Sequence, residues 1–293
     1  MIRHHLFGAA HIDRIGRLEN RAAFGQSNPG SMRDSVGGTA FNVASSLTAL
    51  GAHVSLSSAV GNDESGAHIH RVAADRQIDF HPLAHPGLHP TATYTGLLDA
   101  QGELIIALAD MEIYAAADVH KTAVAADAWL LVDANLSPEM IGALLQKPTA
   151  HRAGMTVSAA KAKRLRPHID RLDLLFTNRA EAAALVDAPP ADPLTMLGQM
   201  IADTGCPRAV ISDGAGPLVV VDEGAVTECA VDSVAVKDVT GAGDALAAGT
   251  LFALGEGVPF PDAISTGIAA AHAILAHPGP YRADLSNAIG AVL

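Results

Sequence analysis

The stretch Asp238-Val239-Thr240-Gly241-Ala242-Gly243-Asp244 decides how this 293-residue chain is read. An alanine-rich helical pattern, Asp244–Leu254, follows it at once. Two glycines one residue apart free the backbone, so that successive N–H groups converge at a helix N-terminus. Unpaired donors and the helix dipole favour an anion there. A carboxylate in the same turn suits removal of a proton from a hydroxyl that attacks a bound phosphoryl group. A glycine turn with Asp244 as helix cap is the plainer alternative, and it would suffice for an isolated Gly-x-Gly-Asp. Here all seven adjacent residues suit one chemical role. A dinucleotide-binding turn does not fit: the pair lies late in the chain, and Leu246 stands where the third glycine is needed.

Outward from this motif, short apolar runs alternate with helical patterns, which predicts βα units and a mostly parallel sheet. Val54, Leu56 and Val60 alternate like a strand closed by Gly61-Asn62-Asp63. Trp129–Val132 is a second strand, and Ser137-Pro138-Glu139 reads as a helix start with serine at the N-cap. Leu172–Phe176 and Ala209–Ile211 are further strands. Leu218–Val221 and Ala225–Thr227 flank Asp222-Glu223-Gly224 as a hairpin, and Asp262–Ala276 is a helix packed on the sheet. Two stretches break the alternation: polar Arg14–Asp34, with a turn at Asn28-Pro29-Gly30, and Thr91–Leu108, a strand, a Gly102 turn and a strand. Paired, they predict a small separate sheet, so the expectation is one α/β domain with an appended lid of about residues 13–35 and 91–113.

Composition narrows the function classes. Nineteen basic residues against 31 acidic ones give a net charge of −12, which argues against a nucleic-acid scaffold. A phosphorylated ligand stays open, because backbone donors need no net positive charge. Ser35–Asn62 and Ala263–Tyr281 lack charged side chains, but glycines, asparagine, histidines or proline interrupt them, so both read as buried elements rather than membrane spans. Met1–Asp13 has no signal-type apolar run, and Cys206 and Cys229 make no disulfide framework. A reducing cytoplasm is the expected compartment.

The motif resembles the C-terminal signature of the ribokinase-like, or pfkB, family of sugar and nucleoside kinases. An N-terminal signature is present as well: Gly37-Gly38-Thr39-Ala40-Phe41-Asn42-Val43-Ala44, then Leu50-Gly51 and Val60-Gly61-Asn62-Asp63 with Gly66. The two lie about 200 residues apart, in the family's order. The resemblance covers nearly the whole chain. It implies a three-layer α/β/α fold with a mostly parallel sheet and a β-sheet lid, through which relatives often form homodimers. It also implies Asp244 as general base and Gly241, Ala242 and Gly243 as the anion hole for the γ-phosphate of ATP. Asp13, just after the apolar start Leu6–Ala10, resembles the aspartate that accepts two sugar hydroxyls, with Gly37, Gly38 and Asn42 completing that site. Asn178-Arg179-Ala180-Glu181 resembles the motif acting near the phosphates, with Glu181 reaching Mg²⁺ through water. It is equally a helix capping box. Thr240, Ser212, Gly214 and Gly216 are the expected nucleotide contacts. The loop Ser212-Asp213-Gly214-Ala215-Gly216 is one residue shorter than the family pattern. Asp238 is a candidate ligand for a monovalent cation, K⁺.

Further segments resemble the pseudouridine kinases of that family: Ser27–Gly30, Ala109-Asp110-Met111-Glu112-Ile113, Asp133–Ser137 and Val157-Ser158-x-x-Lys161. They imply pseudouridine as acceptor, with Asn28, Asp110 or Met111 at the nucleobase. Phe41 departs from that group's pattern and is expected to alter the base or sugar pocket. Ribose, other nucleosides and ketohexose derivatives remain alternatives, as does a non-catalytic binding protein on the same fold. The fourteen histidines invite a metal reading, but Pro82, Pro86 and Pro90 break any helical face shared by His81, His85 and His89.

Overall fold

The computed structural model describes residues 2–83 and 89–290. Its centre is a nine-stranded sheet. The strands are β1 (His4–Phe7), β4 (Val54–Ser58), β5 (Asp79–Pro82), β8 (Trp129–Asp133), β9 (His151–Met155), β10 (Leu174–Asn178), β11 (Arg208–Ser212), β12 (Leu218–Asp222) and β13 (Ala225–Cys229). Their spatial order is β13-β12-β11-β10-β9-β8-β1-β4-β5. All neighbours are parallel except the β11–β12 and β12–β13 pairs, so the expected hairpin forms one edge. A smaller sheet of four strands, ordered β3-β2-β6-β7, comprises β2 (His11–Leu18), β3 (Gly30–Gly37), β6 (Thr93–Leu98) and β7 (Leu104–Asp110).

Both faces of the large sheet are buried, as parallel strands require. In β8, Trp129 and Leu131 join one apolar cluster, and Leu130 and Val132 join the other. Helices α1 (Thr39–Leu50), α2 (Glu64–Asp75), α7 (Ala242–Gly255) and α8 (Phe260–Leu275) cover the first face. Helices α3 (Pro138–Leu145), α5 (Arg179–Leu185) and α6 (Leu194–Ala202) cover the second. A single turn, α4 (Ala159–Ala162), follows β9, and α9 (Leu285–Ile289) ends the described chain. Ser137 caps α3 by accepting the N–H of Met140. The two uncharged stretches fold as α1 with β4 and as α8. Among the described residues no helix is long and apolar enough to cross a membrane.

Asp13 does not end the first strand. β1 stops at Phe7, and the chain turns out of the main sheet because Ala9 N–H binds the Asp133 carboxylate at 2.8 Å and Ala10 N–H binds Ser58 Oγ at 2.9 Å. Asp13 is therefore a lid residue, paired in register with Ser35 and Tyr94. Phe41 also differs from expectation. Its ring is fully buried in the core between the sheet and its helices, and it does not line the cavity described below. Truncating it would cost about 3–5 kcal/mol of stability.

Candidate active site

The carboxyl ends of parallel strands are where such sheets place ligands. Here the ends of β9, β10 and β11 face the N-terminus of α7 across a cavity of about 180 Å³. Thr156, Asn178, Glu181, Ser212, Gly243 and Asp244 are among its lining residues.

Helix α7 begins at Gly241, whose φ of +79° lies in the left-handed region. A side chain there would be strained, and a Cβ would sit 2.6 Å from the Pro280 Cβ. No side chain caps the helix. Among the described residues, the N–H groups of Gly243 and Asp244 meet no acceptor, and a Cβ on Gly243 would face open space. The turn thus presents donors to the cavity, which suits an anion. Asp238 braces the turn from behind: one carboxylate oxygen accepts Thr240 N–H at 2.8 Å and the other accepts Gly279 N–H at 3.1 Å. Thr240 itself is exposed.

Among the described residues Asp244 receives a single side-chain hydrogen bond, from the Asn42 amide at 2.8 Å. This bond ties α1 to α7. Burial lifts the Asp244 carboxyl from 3.8 to about 7, and the carboxylates of Asp133, Glu181 and Asp13 push it the same way, against the Asn42 bond. A base poised near neutral pH is suited to proton transfer. The other amide atom of Asn42, Oδ1, is buried without a partner among the described residues, so it remains an acceptor for a ligand hydroxyl. Asp13 lies close against Gly37, where a Cβ would fall 1.9 Å from its Oδ2. Its other oxygen meets His11 Nε2 at 3.1 Å. Gly38, with φ of +106°, starts α1, also without a side-chain cap. Asp13, Gly37, Gly38 and Asn42 therefore share one end of the site.

Glu181 is buried, and burial raises its pKa. Thr156 donates to Glu181 Oε2. Asn178 accepts Glu181 N–H at 3.0 Å, so the capping role is real, and both residues also line the cavity. In the loop expected to contact nucleotide, Asp213 pairs with Arg179 at 2.8 Å. Ser212 stays in the cavity wall, and Gly214 adopts φ of +58° in the turn beyond it. Gly216 N–H closes that turn on Asp213 O at 2.8 Å.

None of the expected acceptor residues Asp13, Asn28, Gly37, Gly38, Asn42 and Met111 is in the cavity wall itself, although Asn42 reaches Asp244. Asn28 accepts Ala23 N–H and donates to the carbonyls of Ala23 and Gln26, so its amide closes its own loop. Met111 is half-buried against the second apolar cluster. Conversely, the structure adds Thr39, Thr156, Val157 and Thr177 to the cavity wall. Val157 has φ of +68°, a costly conformation for a β-branched residue. Thr156 immediately follows β9, so the rule for strand carboxyl ends pointed to it. Asp133, fully buried, accepts the N–H groups of Ala9, Ala40 and Asn135 and fixes the junction of β1, α1 and β8. His81 pairs with Asp79 on β5, His68 and His70 lie on α2, and His85 and Pro86 lie outside the described residues.

The profile of the pfkB family carbohydrate kinases matches residues 2–287. The chain belongs to this family. A pseudouridine kinase of Escherichia coli is 28% identical over 279 residues, covering 88% of this chain and 86% of that protein. An ATP-dependent ribose-1-phosphate kinase of Halopiger xanaduensis is 28% identical over 267 residues, covering 83% of this chain and 82% of that protein. The solved structure of a carbohydrate kinase from Agrobacterium tumefaciens is 31% identical, with a TM-score of 0.82 over 100% of this chain and 97% of that one. As a pfkB-family member the protein is a phosphotransferase of the sugar and nucleoside kinase class, and its α/β architecture is the ribokinase fold.

Proposed function

We propose that this kinase transfers the γ-phosphoryl group of ATP to the primary hydroxyl of pseudouridine, giving pseudouridine 5′-phosphate and ADP. The observation that carries the chemistry is the pairing of Asp244, held by Asn42 and lifted to about 7, with the unpartnered N–H groups at the start of α7. Asp244 takes the proton of the 5′-hydroxyl as its oxygen bonds to the γ-phosphorus and the bond to the ADP oxygen breaks. The N–H groups of Gly241, Gly243 and Asp244 stabilise the charge that develops on the phosphoryl oxygens, whereas that of Ala242, expected in the same role, is held by the Val239 carbonyl at 3.4 Å. Asp13 and Asn42 Oδ1 accept ribose hydroxyls and orient the attacking group. Asn178, Ser212, Gly214, Gly216 and Thr240 are the nucleotide contacts.

Magnesium fits this donor set. Glu181 keeps Oε1 free of hydrogen bonds among the described residues while Oε2 is bound, which suits one contact to a hydrated hard cation. Bound there, Mg²⁺ would neutralise phosphate charge. Asp238, with both oxygens already on backbone N–H groups, is assigned mainly to the loop, and K⁺ remains its candidate ion.

Pseudouridine is favoured by the Escherichia coli relative and by the lid and strand-end segments described above. The second relative, of equal identity, makes ribose 1-phosphate the competing acceptor. We also assign one face of the lid to a homodimer, because Met32, Ile106 and Leu108 leave apolar surface exposed on its strands that a second copy would cover. Cys206 and Cys229 are both free thiols, in keeping with a reducing cytoplasm. The test is ADP release with pseudouridine, uridine, cytidine, adenosine, ribose, ribose 1-phosphate and fructose 6-phosphate. Turnover on pseudouridine well above the others is expected. Turnover only on ribose, ribose 1-phosphate or a hexose would reject the acceptor and keep the kinase.

A further inference from the structure

Arg76 follows the last residue of α2, half-buried, and makes an unusual set of contacts for a guanidinium. It lies 3.8 Å from the ring centroid of Tyr281 and 5.2 Å from that of Phe41. One of its nitrogens donates to Ser45 Oγ at 2.9 Å. Ser45 in turn donates to the Phe41 carbonyl at 2.7 Å. Arg76 is thus anchored on α1 by an aromatic ring and a hydroxyl, and it also stacks on the Tyr281 ring. Cation–π contacts of this kind strengthen as water is excluded.

The segment that this stack immobilises is the back of the phosphate-binding turn. Gly279 N–H holds Asp238, and Pro280 touches Gly241. Lys237 N–H is fixed by the Leu275 carbonyl at 2.7 Å. The contacts close a ring. Asp244 binds Asn42 on α1; α1 carries Phe41 and Ser45; these hold Arg76; Arg76 holds Tyr281; and its neighbour Pro280 abuts Gly241, three residues from Asp244. The same helix α2 is fixed at its other end. Asp63 accepts Gly66 N–H at 2.8 Å and both the N–H and hydroxyl of Thr91, just before lid strand β6, at 2.7 and 2.6 Å.

We propose that Arg76 and Tyr281 are positioning residues for phosphoryl transfer: their stack presses the Gly279–Tyr281 segment onto the Gly241 turn and holds the α7 donors in register with Asp244. This rests on the kinase reading given above. Neither residue lines the cavity, and their contacts run to α1 and to each other, so they act on the site through other groups. Misplacing a donor by about 1 Å is enough to cost a rate factor near 10².

The test compares Arg76→Met, Tyr281→Leu, their double variant and Tyr281→Phe, in the full chain. For Arg76→Met and Tyr281→Leu, kcat falls about tenfold to a hundredfold while the acceptor KM stays within about twofold. Tyr281→Phe, which keeps the ring, recovers kcat to within about threefold. The double variant is no worse than the weaker single, since both remove one contact. Amide hydrogen exchange on the free protein gives a readout that needs no substrate. Thr240, Ala245 and Gly279 N–H exchange faster in Arg76→Met and Tyr281→Leu, and the amides of β8 do not. Unchanged exchange at those three amides overturns the proposal. So does acceleration that extends to β8, or a Tyr281→Phe protein as slow as Tyr281→Leu. If the wild-type chain phosphorylates no acceptor, the functional reading fails, and the exchange comparison still decides the clamp.

Discussion

On the α7 side of the cleft, polar groups are tied to defined partners: Asp238 to two backbone N–H groups, Asn42 to Asp244, Glu181 to Thr156 and the α5 cap. The lid is built differently. Gly16 pairs in register with Met32 and with Leu97, and Leu97 with Ile106, so these side chains cross one face of the small sheet. Met32, Ile106 and Leu108 are 54–69% exposed there, while Asp13, by strand alternation, points to the other face. One wall is finished within the chain; the other leaves an apolar strip for something outside it. On the function proposed above, the first wall performs the transfer and the second gathers and encloses the acceptor.

The sharpest way to break it lies inside one motif. Asp244→Asn is expected to lower kcat by about 10²–10⁴ while calorimetry still finds nucleoside binding. Asp238→Ala, which frees two N–H groups at the back of the turn, should lower kcat only about tenfold. Equal losses would mean that both aspartates serve the loop and that Asp244 is not the base. Between these lies Gly241→Ala. It forces a Cβ against Pro280 in a left-handed conformation and should cost about 10² in kcat by displacing the donors. An active Gly241→Ala protein would show that the turn is not held as tightly as its contacts require.

The lid is tested by charge. Ile106→Glu with Leu108→Glu should halve the mass in sedimentation and raise the acceptor KM about tenfold, with kcat less affected. A wild-type chain that is already monomeric at micromolar concentration would sever the apolar strip from self-association.

Much of this contrast was legible in the amino-acid order, because glycine-rich turns and strand alternation are local signals. The helix after Asp244, the edge hairpin and the separate sheet follow from such signals and are present. Residues whose roles depend on distant partners were not legible. Phe41 looks like a pocket residue beside Asn42, but helical spacing turns it into the core. Asn28 looks like a base contact, but its amide closes its own loop. Arg76 and Tyr281 are 205 positions apart in the numbering (281 minus 76), and no local pattern pairs them. Asp13 lies on β2 of the small sheet and not at the end of β1, since the turn at Gly8–Ala10 is set by Asp133 and Ser58 from elsewhere in the chain.

The smallest expected effect concerns protons at the rigid wall. Asp244 acts as a base only when ionised, so kcat/KM should fall as pH drops through about 7. The Asn42 amide opposes the upward shift, so Asn42→Ala should move that limb to higher pH as well as weakening acceptor binding. Stability runs the opposite way. The folded protein holds this proton more tightly than the unfolded chain, so between the ordinary carboxylate range and about pH 7 the folded state binds more protons and loses stability as pH rises. Asp244→Asn removes that penalty. Its Tm should therefore exceed that of the wild type at pH 8 and converge with it near pH 4. A Tm difference independent of pH would mean that the gain comes from packing, and that the carboxylate is not held in the strained ionised state that makes it a base.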